Sequence, residues 1–313
     1  MTQFLSHFNY QHLVGLNSTQ VRDERPHYNA GFEFQKWHRA CTMFGLASAI
    51  AFHTAVQPID MIQYPIASAL AILAFGVPHG ALDIEIGKRR YNLQGRATAR
   101  LLAAYVLLTV TVIVAWTIAS SVCLASFLII SAYHFGGDWP MGASRLGRLA
   151  AGAAVLAAPT LTHTSEVIGI FAWLVPQDAA VQIAMAMSRA AAPATALALV
   201  LGAASLRSLG ALAEWAIAVA AASLLPPLTF FLLYFCFCHS VRHVAATAIE
   251  LGDRPGRPLV AAGLPYATLA ICGCLVGAFA FSNLDVGPAL VSSVFVGLAA
   301  MTVPHMLLID GTG

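Results

Sequence analysis

Charge is what this chain has least of. Of its 313 residues only 10% are Asp, Glu, Lys or Arg, against about 25% in soluble globular domains. The formal net charge is +2, which gives no ground for a nucleic-acid partner. Cysteine is scarce and badly placed for cross-linking. Cys41, Cys123, Cys236, Cys238, Cys272 and Cys274 all lie in apolar stretches, and each C-x-C pair would direct its sulfurs to different faces of a helix. They read as buried, inert thiols, and no disulfide framework is implied. Residues 1–36 contain no apolar core long enough for a cleavable signal peptide.

What the chain has in abundance is hydrocarbon. Hydrophobic residues make up 59% of it and the mean hydropathy is +0.76, the composition of an integral membrane protein. Apolar runs fall at 37–57, 61–82, 98–119, 121–138, 148–162, 190–206, 209–225, 226–247, 259–281 and 287–308. A span needs about 20 residues, and several runs are shorter, so the expected fold is all-α: a polytopic membrane helix bundle of eight to ten transmembrane helices. The stretch 163–189, with Pro176, Asp178 and Arg189, reads as a re-entrant or interfacial piece or as two short helices. Two regions are expected: a polar N-terminal tail over 1–36, on the cytoplasmic side, and a single transmembrane helical catalytic domain over 37–313.

Basic residues orient such a bundle. Lys88, Arg89, Arg90, Arg96 and Arg100 follow the second run, Arg145 and Arg148 the fourth, and Arg254 and Arg257 the eighth. Ten crossings with these loops and both termini in the cytoplasm satisfy every sign. The cell inner membrane is the expected location, with the chain multi-pass.

Against this apolar background stand four short segments: P-H-G-A-L-D at Pro78–Asp83, Y-H-F-G-G-D at Tyr133–Asp138, H-S-V-R-H at His239–His243 and P-H-M-L-L-I-D at Pro304–Asp310. Histidine and aspartate are costly in hydrocarbon and mark functional sites there. In the ten-span arrangement His79, His134, His239, His243 and His305 all fall at one depth, in the cytoplasmic half of the membrane.

His239 and His243 are four apart, so on a helix they share a face with Cβ atoms about 5–6 Å apart, a spacing that suits chelation of one metal. His79 and His134 each have an aspartate four residues on, Asp83 and Asp138. This repeated H-x-x-x-D is a weak echo of an internal duplication. A metal-bound histidine usually donates its other N–H to a carboxylate, and the two aspartates suit that part; capping a helix end or pairing with Arg89, Arg90 or Arg242 suits them equally. His305 reads as support for the ligands or for a substrate pocket, with Asp310 beside it. Arg242, if buried, needs a carboxylate, with Asp83, Asp138 and Asp310 as candidates. His7, His12, His27, His38, His53 and His163 lack this setting and read as structural or surface residues. Four neutral imidazoles suit a redox iron or copper better than magnesium or calcium, with zinc still chemically open. Tyr133, Phe135, Phe231, Tyr234 and Phe235, together with Phe230 and Phe237, would line a long apolar cavity.

Taken together and in order, P-H-G-A-L-D, Y-H-F-G-G-D, F-C-F-C-H-S-V-R-H and P-H-M-L-L-I-D resemble the Brp/Blh family of bacterial and archaeal β-carotene 15,15′-dioxygenases, from about residue 60 to the C-terminus. The resemblance implies a multi-pass membrane enzyme that splits the central double bond of β-carotene with O₂ into two molecules of all-trans-retinal. It implies Fe(2+) as cofactor, with His79, His134, His239 and His243 as the essential histidines, and β-carotene, O₂ and the lipid bilayer as partners. Its product would link it to a retinal-binding rhodopsin. It gives no counterpart for the first 36 residues. Two other classes compete. A lipid desaturase or hydroxylase would need several H-x-x-x-H and H-x-x-H-H boxes, and this chain has one. A transporter or an accessory factor for a retinal protein would use intramembrane His and Asp as a proton relay.

Overall fold

In the computed structural model the described residues are 18–56, 60–76, 80, 82–139, 144–204, 209–250, 258–281 and 283–309, and the side chains of 18–32, 204, 250, 258–260 and 281 are not among them. His79 and Asp310 lie outside the described residues, as do Arg254 and Arg257.

Among the described residues there is no strand. The helices are α1 (Ser18–Ala55), α2 (Pro65–Ala71), α3 (Asp83–Arg90), α4 (Arg96–Phe135), α5 (Arg145–Ala157), α6 (Thr164–Ala172), α7 (Gln177–Ala204), α8 (Leu209–Leu224), α9 (Pro227–Phe231), α10 (Ser240–Glu250), α11 (Pro258–Gly277) and α12 (Val286–Ile309). Two π-helical stretches, Ile72–Gly76 and Leu232–His239, extend α2 and join α9 to α10.

The class expected from the sequence is the class observed, and among the described residues fewer span-length helices are found than the eight to ten expected. Five helices among the described residues are long and apolar enough to cross a membrane: Arg96–Asp138, Gln177–Ala203, Pro227–Ile249, Ala261–Ala280 and Val286–Ile309. A sixth would come from Arg145–Leu161 with Thr164–Ala172, a pair bent by 102°. The difference has physical causes. The runs 98–119 and 121–138 form one helix, α4, interrupted only where Ala119 leaves helical geometry (φ −143°, ψ 55°). Within the run 61–82 the described residues form a short apolar helix over Pro65–Gly76, and 209–225 holds another short one, α8. Residues 177–189, read as interfacial, are the first half of the long α7. Of the N-terminal region, the described part from Ser18 onward is helical and continues unbroken to Ala55 as α1.

Much of the apolar surface faces outward. On α4, Leu107, Ile118, Val122 and Ile129 are each at least 63% exposed. Inside, the bundle is drawn together by small residues, as helices without a water-driven force between them require. Ala150, Ala151, Ala154 and Ala158 on and just after α5, and Ala184, Ala191 and Ala198 at seven-residue intervals on α7, are buried. A Cβ on Gly152 would stand 1.8 Å from the carbonyl oxygen of Ala132, and one on Gly136 would stand 1.6 Å from that of Arg148. The backbones of α4 and α5 therefore touch, and only glycine fits at either crossing. Trp215 of α8 is 1% exposed and donates its indole N–H to the Ala151 carbonyl at 3.2 Å.

The short α3 carries Asp83 at its first position and a polar cluster behind it. Lys88 and Arg89 donate to Glu85 at 3.0 and 2.7 Å. Burial works to raise the Glu85 carboxyl, but the hydrogen bonds from Arg89 and Lys88 outweigh it and hold it below the usual carboxylate range. Arg148, expected in an orienting loop, instead donates to the Tyr133 carbonyl at 2.8 Å and lies 4.3 Å over the Tyr133 ring, which ties the end of α4 to α5.

Candidate metal centre

Three helical segments converge to bring four imidazoles together. The end of α4 delivers His134, the second π stretch and α10 deliver His239 and His243, and α12 delivers His305 directly after Pro304. Pro304 lies inside α12, where it removes one helical hydrogen bond. His134 has ring centroids 4.8 Å from His239, 4.9 Å from His305 and 6.4 Å from His243. His243 lies 5.0 Å from His305 and 6.4 Å from His239. His305, read from sequence as support, stands as close to His134 as His239 does. His134, His239 and His305 are buried, and His243 is partly so.

Each of two histidines is backed by a carboxylate and a tyrosine. His239 Nδ1 lies 2.9 Å from Asp138 Oδ2, and Tyr234 donates its hydroxyl to the same oxygen at 2.7 Å. His305 Nδ1 lies 2.8 and 3.0 Å from the two oxygens of Asp83, and Tyr105 donates to Asp83 Oδ2 at 2.8 Å. The aspartates thus serve histidines on other helices. Asp138 backs His239 rather than the neighbouring His134. Asp83, buried to 0% exposure, reaches His305, and its ligand atom, that of His243 and that of His305 lie within 4.8 Å of one another.

The π stretch explains how Tyr234 and His239, five apart, meet one oxygen. In an α-helix residues i and i+5 diverge, whereas i→i+5 winding brings them toward one face. Along the same helix Phe231, Phe235, His239 and His243 form a ladder of near-parallel rings, with successive interplanar angles of 13°, 16° and 16°. The two π stretches press together at Gly76, where a Cβ would come 2.4 Å from the Phe235 ring.

Arg242 finds its carboxylate in Glu214, which the sequence reading did not name. Arg242 pairs with Glu214, Arg39 donates to Glu214 at 3.2 Å, and Arg242 Nη1 donates to the Asp138 carbonyl at 2.9 Å. The signal was available: Glu214 is a lone acid in the apolar run of α8, and a charge in such a setting needs a partner. Tyr105 had no comparable signal. His38 is buried and its Nε2 lies 3.3 Å from the Phe237 carbonyl, a structural role. His163 pairs with Glu166 at 2.9 Å.

A small cavity of about 40 Å³ lies against the cluster, and His134, His305, Phe127, Phe135, Phe231 and Phe235 are among its walls. Of the five aromatics expected around a substrate, Phe135, Phe231 and Phe235 stand there. Tyr133 lies instead on an outward groove with Ile129, Leu149 and Met306. Tyr234 packs between Trp139 and Phe230, at 5.6 and 5.7 Å, with its hydroxyl committed to Asp138.

The donor set fits a divalent cation on two counts. Imidazole nitrogens bind at about 2.0–2.1 Å, so two on one ion at about 90–110° stand about 2.8–3.4 Å apart; the Nε2 atoms of His134 and His239 are 3.1 Å apart. The chemistry of the set agrees: buried imidazoles with carboxylates behind two of them are the arrangement in which metal-bound histidines are held.

Fold and site together define an all-α bundle with apolar, span-length helices and a buried imidazole–carboxylate cluster at the end of an aromatic cavity. Residues 70–311 match the family described as beta-carotene 15,15′-dioxygenase, and the chain belongs to that family. A relative from the uncultured marine bacterium 66A03, named beta-carotene 15,15′-dioxygenase, is 31% identical over 259 residues, which cover 77% of this chain and 92% of the relative. No solved structure matches.

Proposed function

We propose that the protein is a membrane-embedded, Fe(II)-dependent enzyme that cleaves the central 15,15′ double bond of β-carotene with O₂. One C=C bond and the O–O bond break, each former alkene carbon takes one oxygen atom, and two molecules of retinal result. All electrons come from the two reactants, so no external reductant is needed. The observation that carries this reading is the convergence of His134, His239, His243 and His305 beside an aromatic cavity.

His134, His239 and His243 are the proposed ligands within the described residues. His305 joins them on geometry, and His79 joins them on the family resemblance. The iron, when bound, supplies O₂ activation. The chain does the rest. Asp138 and Asp83 hold His239 and His305 by Nδ1, which directs the opposite nitrogen of each ring toward the cluster. Phe127, Phe135, Phe231 and Phe235 offer flat apolar surface to a rigid polyene and keep water from the reacting carbons. Exposed apolar side chains along α4 support a lipid setting, from which a hydrocarbon substrate would enter directly.

Expression in a carotenoid-producing bacterial host tests the reading. Fading of the orange colour with retinal accumulating in proportion is expected. Unchanged β-carotene in cells that contain folded, iron-loaded protein would refute it.

A further inference from the structure

We infer that Tyr105 and Tyr234 are positioning residues of the metal centre, each fixing an aspartate so that its partner histidine offers Nε2 to the cluster. The inference rests on the Fe(II) reading above and extends it outward by one link.

The two tyrosines build the same device from different parts of the fold. Tyr234, on the second π stretch, donates to Asp138 Oδ2 at 2.7 Å, and the same oxygen lies 2.9 Å from His239 Nδ1. Tyr105, in the first quarter of α4, donates to Asp83 Oδ2 at 2.8 Å, and both Asp83 oxygens lie within 3.0 Å of His305 Nδ1. An ionised carboxylate can only accept hydrogen bonds. With a phenol O–H already donating, the imidazole Nδ1 must carry the proton on the other side. That fixes the tautomer, and Nε2 is left with the lone pair. For His239 the direction is visible, since its Nε2 faces His134 Nε2 at 3.1 Å.

The tyrosines also restrain the carboxylates in place. Asp138 is gripped from three sides, by Tyr234 and His239 at its side chain and by Arg242 at its carbonyl. Tyr105 reaches Asp83 across 22 residues of sequence and so links α4 to the first turn of α3. Neither tyrosine lines the cavity beside the histidines. Their removal should therefore act on the metal and leave the substrate's walls untouched.

The test uses the full chain in detergent, stripped of metal and titrated with Co(II) as a visible-spectrum probe for the Fe(II) position. Wild type, H239A, Y105F and Y234F are compared. Wild type is expected to bind one Co(II) per chain, H239A to lose it, and each Tyr→Phe variant to bind about 10-fold more weakly with a displaced d–d band. In the iron form the Tyr→Phe variants should lose kcat while KM for β-carotene stays within about twofold of wild type, as expected when cavity walls are intact. Phe variants that bind Co(II) as tightly as wild type, or more weakly with an unmoved band, overturn the positioning role alone. Wild type that binds no Co(II), or H239A that binds it fully, overturns the metal reading and this inference with it. If Y234F fails to fold, Y105F, whose contacts lie on other helices, carries the test.

Discussion

Tyr234 and His239 meet one and the same oxygen, Oδ2 of Asp138, although five residues separate them along one helix. The π winding from Leu232 to His239 makes this shared contact reachable. Local irregularity in the backbone is thus tied to the orientation of a proposed ligand.

Replacing His239, His243 or His305 by Ala should remove bound iron and retinal formation together. His53→Ala, on α1 and outside the cluster, should leave both nearly intact. Iron per chain after purification and retinal yield by chromatography check this. Iron retention in H305A equal to wild type would return His305 to a supporting role.

Asp138→Asn and Asp83→Asn should weaken the centre rather than abolish it. Loss of a carboxylate behind a metal-bound imidazole typically costs about 10–100-fold in affinity or activity. Asp83 has the tighter setting, with 0% exposure and contacts from both His305 and Tyr105. Chelator-competition assays on the two variants measure the drop.

Glu214→Ala should destabilise the whole bundle. It leaves Arg242, with 18% side-chain exposure, without its carboxylate, and breaking a buried ion pair by removing one partner costs about 3–5 kcal/mol. The Asp138 carbonyl held by Arg242 should loosen with it. A lower thermal midpoint in detergent, accompanied by easier iron loss, is the expected result, and Glu214→Gln should fall between the two.

Gly152→Ala should impair folding out of proportion to one methyl group. The added Cβ would meet the Ala132 carbonyl oxygen at 1.8 Å, an atom of the backbone that cannot rotate away. Overpacking of this kind costs about 1–3 kcal/mol or more. Gly45→Ala, where a Cβ would meet nothing within 4 Å, should be silent in the same thermal-shift measurement.

The helical membrane-type class was legible from apolar runs and scarce charge, and so was the importance of the histidine segments. Spacing alone brought His239 and His243 onto one face. The partnering was not legible, because it is tertiary. Asp138 serves His239 and Asp83 serves His305 across helix boundaries, and no local spacing encodes that. The π stretches were hidden because Leu232–His239 reads as an unbroken apolar helix. Where one helix ends and the next begins was not legible from composition: residues 98–138 look like two spans around Ser120-Ser121 yet run as one kinked helix.

Phe235 holds two positions at once. It is a wall of the cavity, and it is the ring stacked next to His239 at 6.1 Å, pinned from behind by Gly76. A molecule too bulky for the passage would push this phenyl group toward the imidazole instead of into slack space. Selection of guest shape and alignment of the reactive machinery are then one mechanical event, and the enzyme would reject an ill-fitting polyene by disturbing its own chemistry.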